Sequence, residues 1–251
     1  MKNLYVCFIV VMLFLSGCDY PSQQNEWKKI DDFLSYKQWD FEINGAKETI
    51  EIYRVVPGGY KIKLVYSSEA PKYVSDWLYY NDGAEIVVNG PYFSEDYSPS
   101  GYVKINNTRV GNLIFNQELS GLVQIEDDKL FIRDLGVQAL KADEDVEFGL
   151  QSYPFLLKNS APALTEDSGK IARRTAIGTD ADDNVYLIVS DTTHLSLFDL
   201  MNQLINTGIP FNQVLNLDGG TSTGIAVSEG NYHEIKDSLV KVPGVIVFDK
   251  I

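Results

Sequence analysis

Apolar and other residues alternate from Trp39 to Asn44 and again from Thr49 to Val56, with Asn44-Gly45 between them. The alternation returns from Tyr60 to Tyr66, after Pro57-Gly58-Gly59. A two-residue period sends successive side chains to opposite faces, and Gly and Pro supply the turns, so this stretch predicts an antiparallel meander. From Pro71 to Asp82 the period lengthens. Val74, Trp77 and Leu78 fall on one face and Gly83 stands at the exit, which predicts a helix. The short run Glu85 to Val88 then reads as a strand leading into Asn89-Gly90-Pro91-Tyr92-Phe93, a junction rich in backbone-permissive and ring-bearing residues.

Beyond it, Ser94 to Gly101 is a polar loop long enough to overlie a site. Gly121 to Ile125 and Lys129 to Leu135 flank Glu126-Asp127-Asp128 and predict a hairpin. Gln151 to Leu157 reads as a strand whose Pro154 confines it to an edge or a bulge. Arg173 to Thr179 and Val185 to Ser190 form a second hairpin across Asp180 to Asn184. Asp180, Asp182 and Asn184 share the first spacings of an EF-hand loop, but Val185 and Asp191 stand where its glycine and glutamate belong, so the segment is read as a turn. Ser196 to Thr207 is the clearest helix. Leu197, Leu200, Met201, Leu204 and Ile205 follow its period, Ser196 and Asp199 form a capping box, and Gly208 stands at the exit. Ile225 to Val227 and Val240 to Phe248 supply closing strands. The expected architecture is one α+β domain over residues 27–251, a mixed or mostly antiparallel sheet with two main helices.

Gln213 to Val227 organises the rest. Val214, Leu215 and Leu217 read as buried strand, Asp218 sits where the strand ends, and Gly219 and Gly220 let the backbone turn sharply and a ligand approach its N–H groups. Thr221, Ser222 and Thr223 add three hydroxyls. A plain tight turn with a solvated acid is the alternative reading of these residues alone.

The first residues change the picture of where this domain works. Lys2 and the apolar run Leu4 to Leu15 suit a cleavable export signal over residues 1–17, and the run is too short to span a bilayer comfortably. Leu15-Ser16-Gly17-Cys18 resembles the lipobox of bacterial lipoproteins, which implies lipidation of Cys18 and a polar tether over residues 18–26. The expected location is the cell envelope, anchored on the extracytoplasmic side of a bacterial membrane. Cys7 and Cys18 are the chain's two cysteines, so no disulfide framework or thiolate zinc site can be built in the body. With 45% hydrophobic residues the body should be globular, and a formal charge of −14, from 21 basic and 35 acidic residues, argues against nucleic acid as a partner. No metal or cofactor is expected.

Two histidines, His194 and His233, offer no zinc spacing. A serine-hydrolase reading through Ser222 is weak, because Gly-Thr-Ser-Thr-Gly follows an acid turn rather than forming a strand-to-helix elbow. A more economical set is Asn89, Arg174 and Asp218, each at the end of a predicted strand or the base of a hairpin. Asn suits sugar hydroxyls, the planar Arg fork matches phosphate or carboxylate, and Asp can act as base, nucleophile or cation stabiliser in glycosyl transfer. Adjacent strand residues face opposite sides, so one of Arg173 and Arg174 points inward.

Asn89-Gly90-Pro91-Tyr92-Phe93, Pro99-Ser100-Gly101, Gln151-Ser152-Tyr153-Pro154-Phe155-Leu156, Arg174-Thr175-Ala176-Ile177-Gly178 and Leu215-Asn216-Leu217-Asp218-Gly219-Gly220-Thr221-Ser222 occur in the order seen in the phosphodiester glycosidase domain family, which this chain resembles from about Glu85 onward. The resemblance implies cleavage of a sugar-1-phosphodiester in envelope or extracellular glycans, with a pocket of Asn89, Arg174, Asp218, Gly219, Gly220 and Ser222. Thr221, Tyr92, Phe93 and His194 complete the candidate substrate-binding set. The chain departs from the family at Thr221, where a third glycine is common, and at Pro91, which removes a backbone donor. When the leaving group is a phosphate ester it departs as a stable anion, so a strong general acid matters less than a cation near the phosphate. The rival reading is a non-catalytic glycan-binding lipoprotein that stacks sugars on Tyr92, Phe93 or Tyr97. Lipidation predicts that Cys18→Ser abolishes fractionation with membranes or blocks processing; unchanged membrane association with the signal still cleaved would contradict it.

Overall fold

A computed structural model describes residues 26–114, 119–141, 144 and 146–251. The export signal, Cys18 and the tether up to residue 25 lie outside the described residues.

The chain opens with strands β1 (Lys28–Lys29), β2 (Leu34–Ile43), β3 (Ala46–Val55) and β4 (Tyr60–Tyr66), then helix α1 (Val74–Tyr80) and β5 (Ala84–Asn89). Next come β6 (Val103–Ile105), β7 (Thr108–Arg109), β8 (Gly121–Glu126), β9 (Lys129–Asp134), β10 (Phe148–Ser152), β11 (Phe155–Lys158) and β12 (Ala161–Pro162). The last part holds β13 (Arg174–Thr179), β14 (Val185–Ser190), α2 (Leu197–Asn206), β15 (Gln213–Asn216), a 3-10 turn (Gly220–Ser222), β16 (Ile225–Glu229), β17 (Tyr232–Lys236) and β18 (Gly244–Lys250).

These strands form three sheets, ordered β1-β2-β3-β14-β13-β15-β11-β12, β17-β16-β5-β18-β4 and β7-β6-β10-β8-β9. Every described strand pair is antiparallel. The expected α+β domain is therefore β-dominated, with its two helices packed on outer sheet faces. The central strand β14 explains why periodicity is faint in places. All six of its residues are buried, Val185, Leu187 and Val189 in the core between the sheets and Tyr186 and Ile188 against the layer that holds α2. Helix α2 buries Leu200, Met201 and Leu204 there with Ile50, Ile52 and Val214, and α1 buries Val74, Trp77 and Leu78 on Val87, Val245 and Val247 of the second sheet.

The helix predicted from Ser196 has its capping box: the Asp199 N–H donates to Ser196 Oγ at 3.0 Å and the Ser196 N–H to the Asp199 carboxylate at 3.2 Å. The Asp180 segment is a turn, its carboxylate accepting from the N–H groups of Asp182 and Asn184, from the Asn184 amide and from the Tyr186 hydroxyl. The predicted strand Gln151 to Leu157 is instead two strands in different sheets. β10 ends at Ser152, the chain passes through a cis Tyr153–Pro154 bond, and β11 begins at Phe155 in the large sheet. A proline lacks the ladder donor, so it stands where the chain changes sheets rather than at a bulge within one. The strands β6, β7 and β17 show no clear alternation in the sequence, and all three are edge or near-edge strands whose positions, Val103 apart, are exposed or half-buried.

Candidate functional site

The ends of β5 and β15 and the start of β13 meet where the large sheet touches the second one, and one buried amide joins them. Asn89 is 1% exposed. Its Nδ2 donates to the backbone carbonyl of Asp218 at 2.6 Å, and its Oδ1 accepts from the Thr175 hydroxyl at 2.7 Å and from the Gly224 N–H at 3.1 Å. In return the Asp218 N–H donates to the Gly90 carbonyl at 3.2 Å. Asn89 thus touches three segments and holds the backbone of Asp218 rather than presenting its amide to a ligand.

The turn after Asp218 is shaped by its glycines. A Cβ on Gly219 would stand 3.1 Å from the Arg173 carbonyl, and Gly220 has φ of +63°, in the left-handed region. The Gly220 N–H donates to that same Arg173 carbonyl at 2.8 Å, and the Leu217 N–H to the Thr175 carbonyl at 2.9 Å, so the turn is stitched along the start of β13. Asp218 is half-buried. Burial pushes its carboxyl up to about 6, opposed by the Ser222 hydroxyl and the Gly219 N–H at 2.9 Å, both of which favour the anion. The result is an acid reachable from outside whose titration lies close to neutral pH.

Arg174 faces away from Arg173. Arg173 is buried and donates to the Asp237 carbonyl at 3.0 Å. Arg174 donates Nε to the Leu195 carbonyl at 3.0 Å and a second N–H to the Lys170 carbonyl, which leaves part of its fork for a ligand. Tyr92 feels both Arg174 and Asp218: burial holds its phenol in the neutral form and the Asp218 charge raises it further, while the Asn216 hydrogen bond and Arg174 oppose. The Tyr92 hydroxyl accepts from Asn216 Nδ2 at 2.6 Å and donates to the Tyr153 carbonyl at 3.1 Å, and the two tyrosine rings lie 5.1 Å apart. A cleft of about 510 Å³ opens beside them, lined by Tyr92, Tyr153, Phe155, Lys158, Ser168 and Lys170 among others. Neither Asp218 nor Arg174 lines this cleft itself; Tyr92 and Lys170 connect it to them.

The candidate residues divide accordingly. Asn89, Arg174, Asp218, Gly219, Gly220, Ser222 and Tyr92 come together at this junction. Thr221 is exposed on the turn, and its carbonyl accepts from the N–H of Leu239 at 2.7 Å. Phe93 goes elsewhere: it stacks on Tyr97 at 5.8 Å and packs against the α1 layer. His194 pairs its Nδ1 with the buried carboxylate of Glu48 at 2.8 Å and does not line the cleft. His233 bonds Ser228 at 3.0 Å, so neither described histidine contact goes to Ser222. Sequence reasoning passed over Asn216, Tyr153 and Lys170. The first two sit inside quoted motif blocks, but nothing in their spacing marks the Asn216–Tyr92–Tyr153 network, which exists only because β10 and β11 diverge at Pro154.

A family profile described as phosphodiester glycosidase matches residues 82–248. No curated protein matches the chain. Among solved structures, the chain is similar to a hypothetical protein from Synechocystis, with a TM-score of 0.60 at 14% identity, covering 87% of this chain and 62% of that one. It is similar also to the catalytic domain of zebrafish N-acetylglucosamine-1-phosphodiester alpha-N-acetylglucosaminidase auto-inhibited by its pro-peptide, with a TM-score of 0.60 at 12% identity over 89% of this chain and 85% of that one. A third is a putative exported protein from Burkholderia pseudomallei, with a TM-score of 0.55 at 11% identity over 80% and 74%. At these identities the structural likeness speaks for the fold alone.

The raised carboxyl of Asp218 has a stability consequence. An acid whose pKa is higher folded than unfolded favours the fold fully below the unfolded value of 3.8, and that contribution is lost as pH rises through about 6. The charged carboxylate therefore costs the fold on the order of 2–3 kcal/mol at neutral pH. Asp218→Asn keeps an oxygen for the Gly219 N–H and removes the charge. Thermal unfolding should show the variant more stable than wild type at pH 7.5 and the difference vanishing near pH 3.5; a variant no more stable at pH 7.5 would show that burial does not strain the charge.

Proposed function

This chain belongs to the phosphodiester glycosidase family, and from that premise we propose that it hydrolyses the glycosidic bond of a sugar-1-phosphodiester in envelope or extracellular glycans, from a lipid anchor at Cys18 on the outer side of a bacterial membrane. The observation that carries the reading is a half-buried acid, Asp218, pushed up to about 6, with the Tyr92 phenol close enough to feel both its charge and that of Arg174.

In this reading Asp218 meets the sugar and Arg174 the phosphate. A phosphate ester leaves as a stable anion, so the reaction does not require a second carboxylic acid to protonate it. The cleft lining suits this division, since it offers Lys158 and Lys170 and no carboxylate among its described residues. Asp218 in its ionised form faces the positive charge that develops at the anomeric carbon, in a setting where burial strengthens the interaction. Asn89 acts through the backbone of Asp218 and is a positioning residue. The open edge of Arg174 holds the phosphate, its other N–H groups being fixed by Leu195 and Lys170. The Tyr92–Tyr153 ring pair offers sugar-stacking surface, which is also what a non-catalytic glycan-binding protein would need.

The two roles should fail differently. On a sugar-1-phosphodiester, Asp218→Asn should lower kcat by roughly a hundredfold or more with little change in substrate affinity. Arg174→Lys keeps the charge but loses the planar fork, and should weaken binding by about tenfold and slow turnover too, while sparing an activated aryl glycoside that carries no phosphate. Near wild-type turnover by Asp218→Asn on a confirmed substrate would move the glycan-binding reading ahead.

A further inference from the structure

The cleft beside Tyr92 has Ser120 and Lys158 in its lining. Ser120 and Lys158 also line a second groove of about 520 Å³, whose other described walls include Leu113, Ile114, Leu135, Val137 and Leu140. The two spaces have that pair as a common wall, and the character of the lining differs on its two sides. On the site side stand tyrosines and Lys170; on the far side the wall is mainly aliphatic. Val137 is 87% exposed and Ile114 36%, so apolar side chains face solvent at the rim of a groove that adjoins the cleft beside Tyr92.

This groove is built rather than incidental. Gln151, 1% exposed, spends its amide on it: Oε1 accepts from the Ile114 N–H at 3.0 Å, and Nε2 donates to the carbonyls of Ile114 at 2.7 Å and Leu119 at 2.6 Å. The opposite wall is joined to this one by the Leu135 N–H donating to the Ser120 carbonyl at 2.7 Å. Gln151 lies on β10, two residues before the Tyr153 whose carbonyl accepts from Tyr92, so one stretch of chain sets both the site and the apolar wall. At the boundary, Lys158 sits over the Phe155 ring at 4.5 Å and pairs with Asp134 at 2.6 Å, which fixes a cation where a polar group would give way to an apolar one.

We propose that the ester group on the far side of the phosphate is a long apolar chain, so that the substrate is a lipid-linked sugar phosphate whose chain lies in the groove between Leu113 and Leu140. The inference rests on the hydrolytic reading for its chemistry, but the groove itself does not. Water delivers its oxygen to the anomeric carbon as the bond from that carbon to the phosphate oxygen breaks. The sugar keeps a hydroxyl, the alkyl phosphate departs as a monoester dianion, and the proton passes to bulk water. The residues available suit such a molecule: Asp218 and Arg174 at the sheet junction, Lys170 and Lys158 in the cleft beside Tyr92, and the aliphatic wall of the groove that shares Lys158. In a chain of formal charge −14 these cations stand against the overall balance.

The test uses the protein with dodecyl phosphate and methyl phosphate, each below any micelle concentration, by calorimetry, and with the dodecyl and methyl esters of one sugar-1-phosphate as substrates. Dodecyl phosphate should bind roughly tenfold or more tighter than methyl phosphate, and the dodecyl ester should show a correspondingly lower KM. Val137→Asp changes an exposed residue and leaves the fold alone. It should erase both preferences and leave methyl-ester turnover as it was. Equal binding of the two phosphates, or a preference that survives Val137→Asp, overturns the proposal and assigns the groove to another occupant such as a glycan or a protein segment. Turnover of both esters with one KM overturns it while leaving the hydrolytic reading standing. Dodecyl phosphate binding that depends on Val137, with neither ester cleaved, upholds the groove and sinks the hydrolytic reading instead.

Discussion

A single side-chain amide, that of Asn89, carries the geometry on which the site depends. Three sheets meet near the end of β5, and an edge between sheets leaves backbone groups that no ladder satisfies. Asn89 satisfies two such groups, the Asp218 carbonyl and the Gly224 N–H, and accepts from the Thr175 hydroxyl as well, while the Gly90 carbonyl accepts the Asp218 N–H. Leaving buried partners unpaired costs about 1–3 kcal/mol each, so the amide fixes the carboxylate as a consequence of satisfying the fold. Thr or Ser could not reach all three partners, and Asp lacks the donor that the Asp218 carbonyl needs.

That clamp sets the electrostatics. Held at the sheet junction, Asp218 loses water and is pushed up to about 6, with only the Gly219 N–H and the Ser222 hydroxyl to favour its anion. Its charge is unfavourable to the fold and useful to chemistry at the same atom, which is the usual trade at sites that stabilise developing positive charge. Arg174 is handled differently: two backbone carbonyls orient it, burial works against its charge, and the Asp167 carboxylate supports it from nearby without a described hydrogen bond to it.

Much of this was legible in the residues. The strand ending in Asp218-Gly219-Gly220, the Ser196 capping box and the inward-outward split of Arg173 and Arg174 all follow from local rules that need no tertiary knowledge. What local rules could not supply was the destination of side chains. Asn89 read as a ligand for sugar hydroxyls because an Asn at a strand end looks the same whether it meets a substrate or a neighbouring carbonyl. Phe93 and His194 read as substrate-binding candidates, but Phe93 has the α1 layer to pack on and His194 has the buried Glu48 carboxylate. Pro154 read as an interruption within one strand because a change of sheet leaves no periodic trace. The helical content was read correctly in position, yet the α+β label overweighted two short helices against a chain whose described body is antiparallel sheet.

The central physical claim is that burial at the sheet junction holds the Asp218 carboxyl well above an ordinary aspartate. Carbon-detected NMR of the carboxyl groups, with Asp218 assigned by its absence in Asp218→Asn, measures this in the protein without substrate. A titration midpoint of about 6 is the predicted result. A midpoint at or below the ordinary aspartate value of about 3.9 would contradict it and show that the junction does not disfavour this charge.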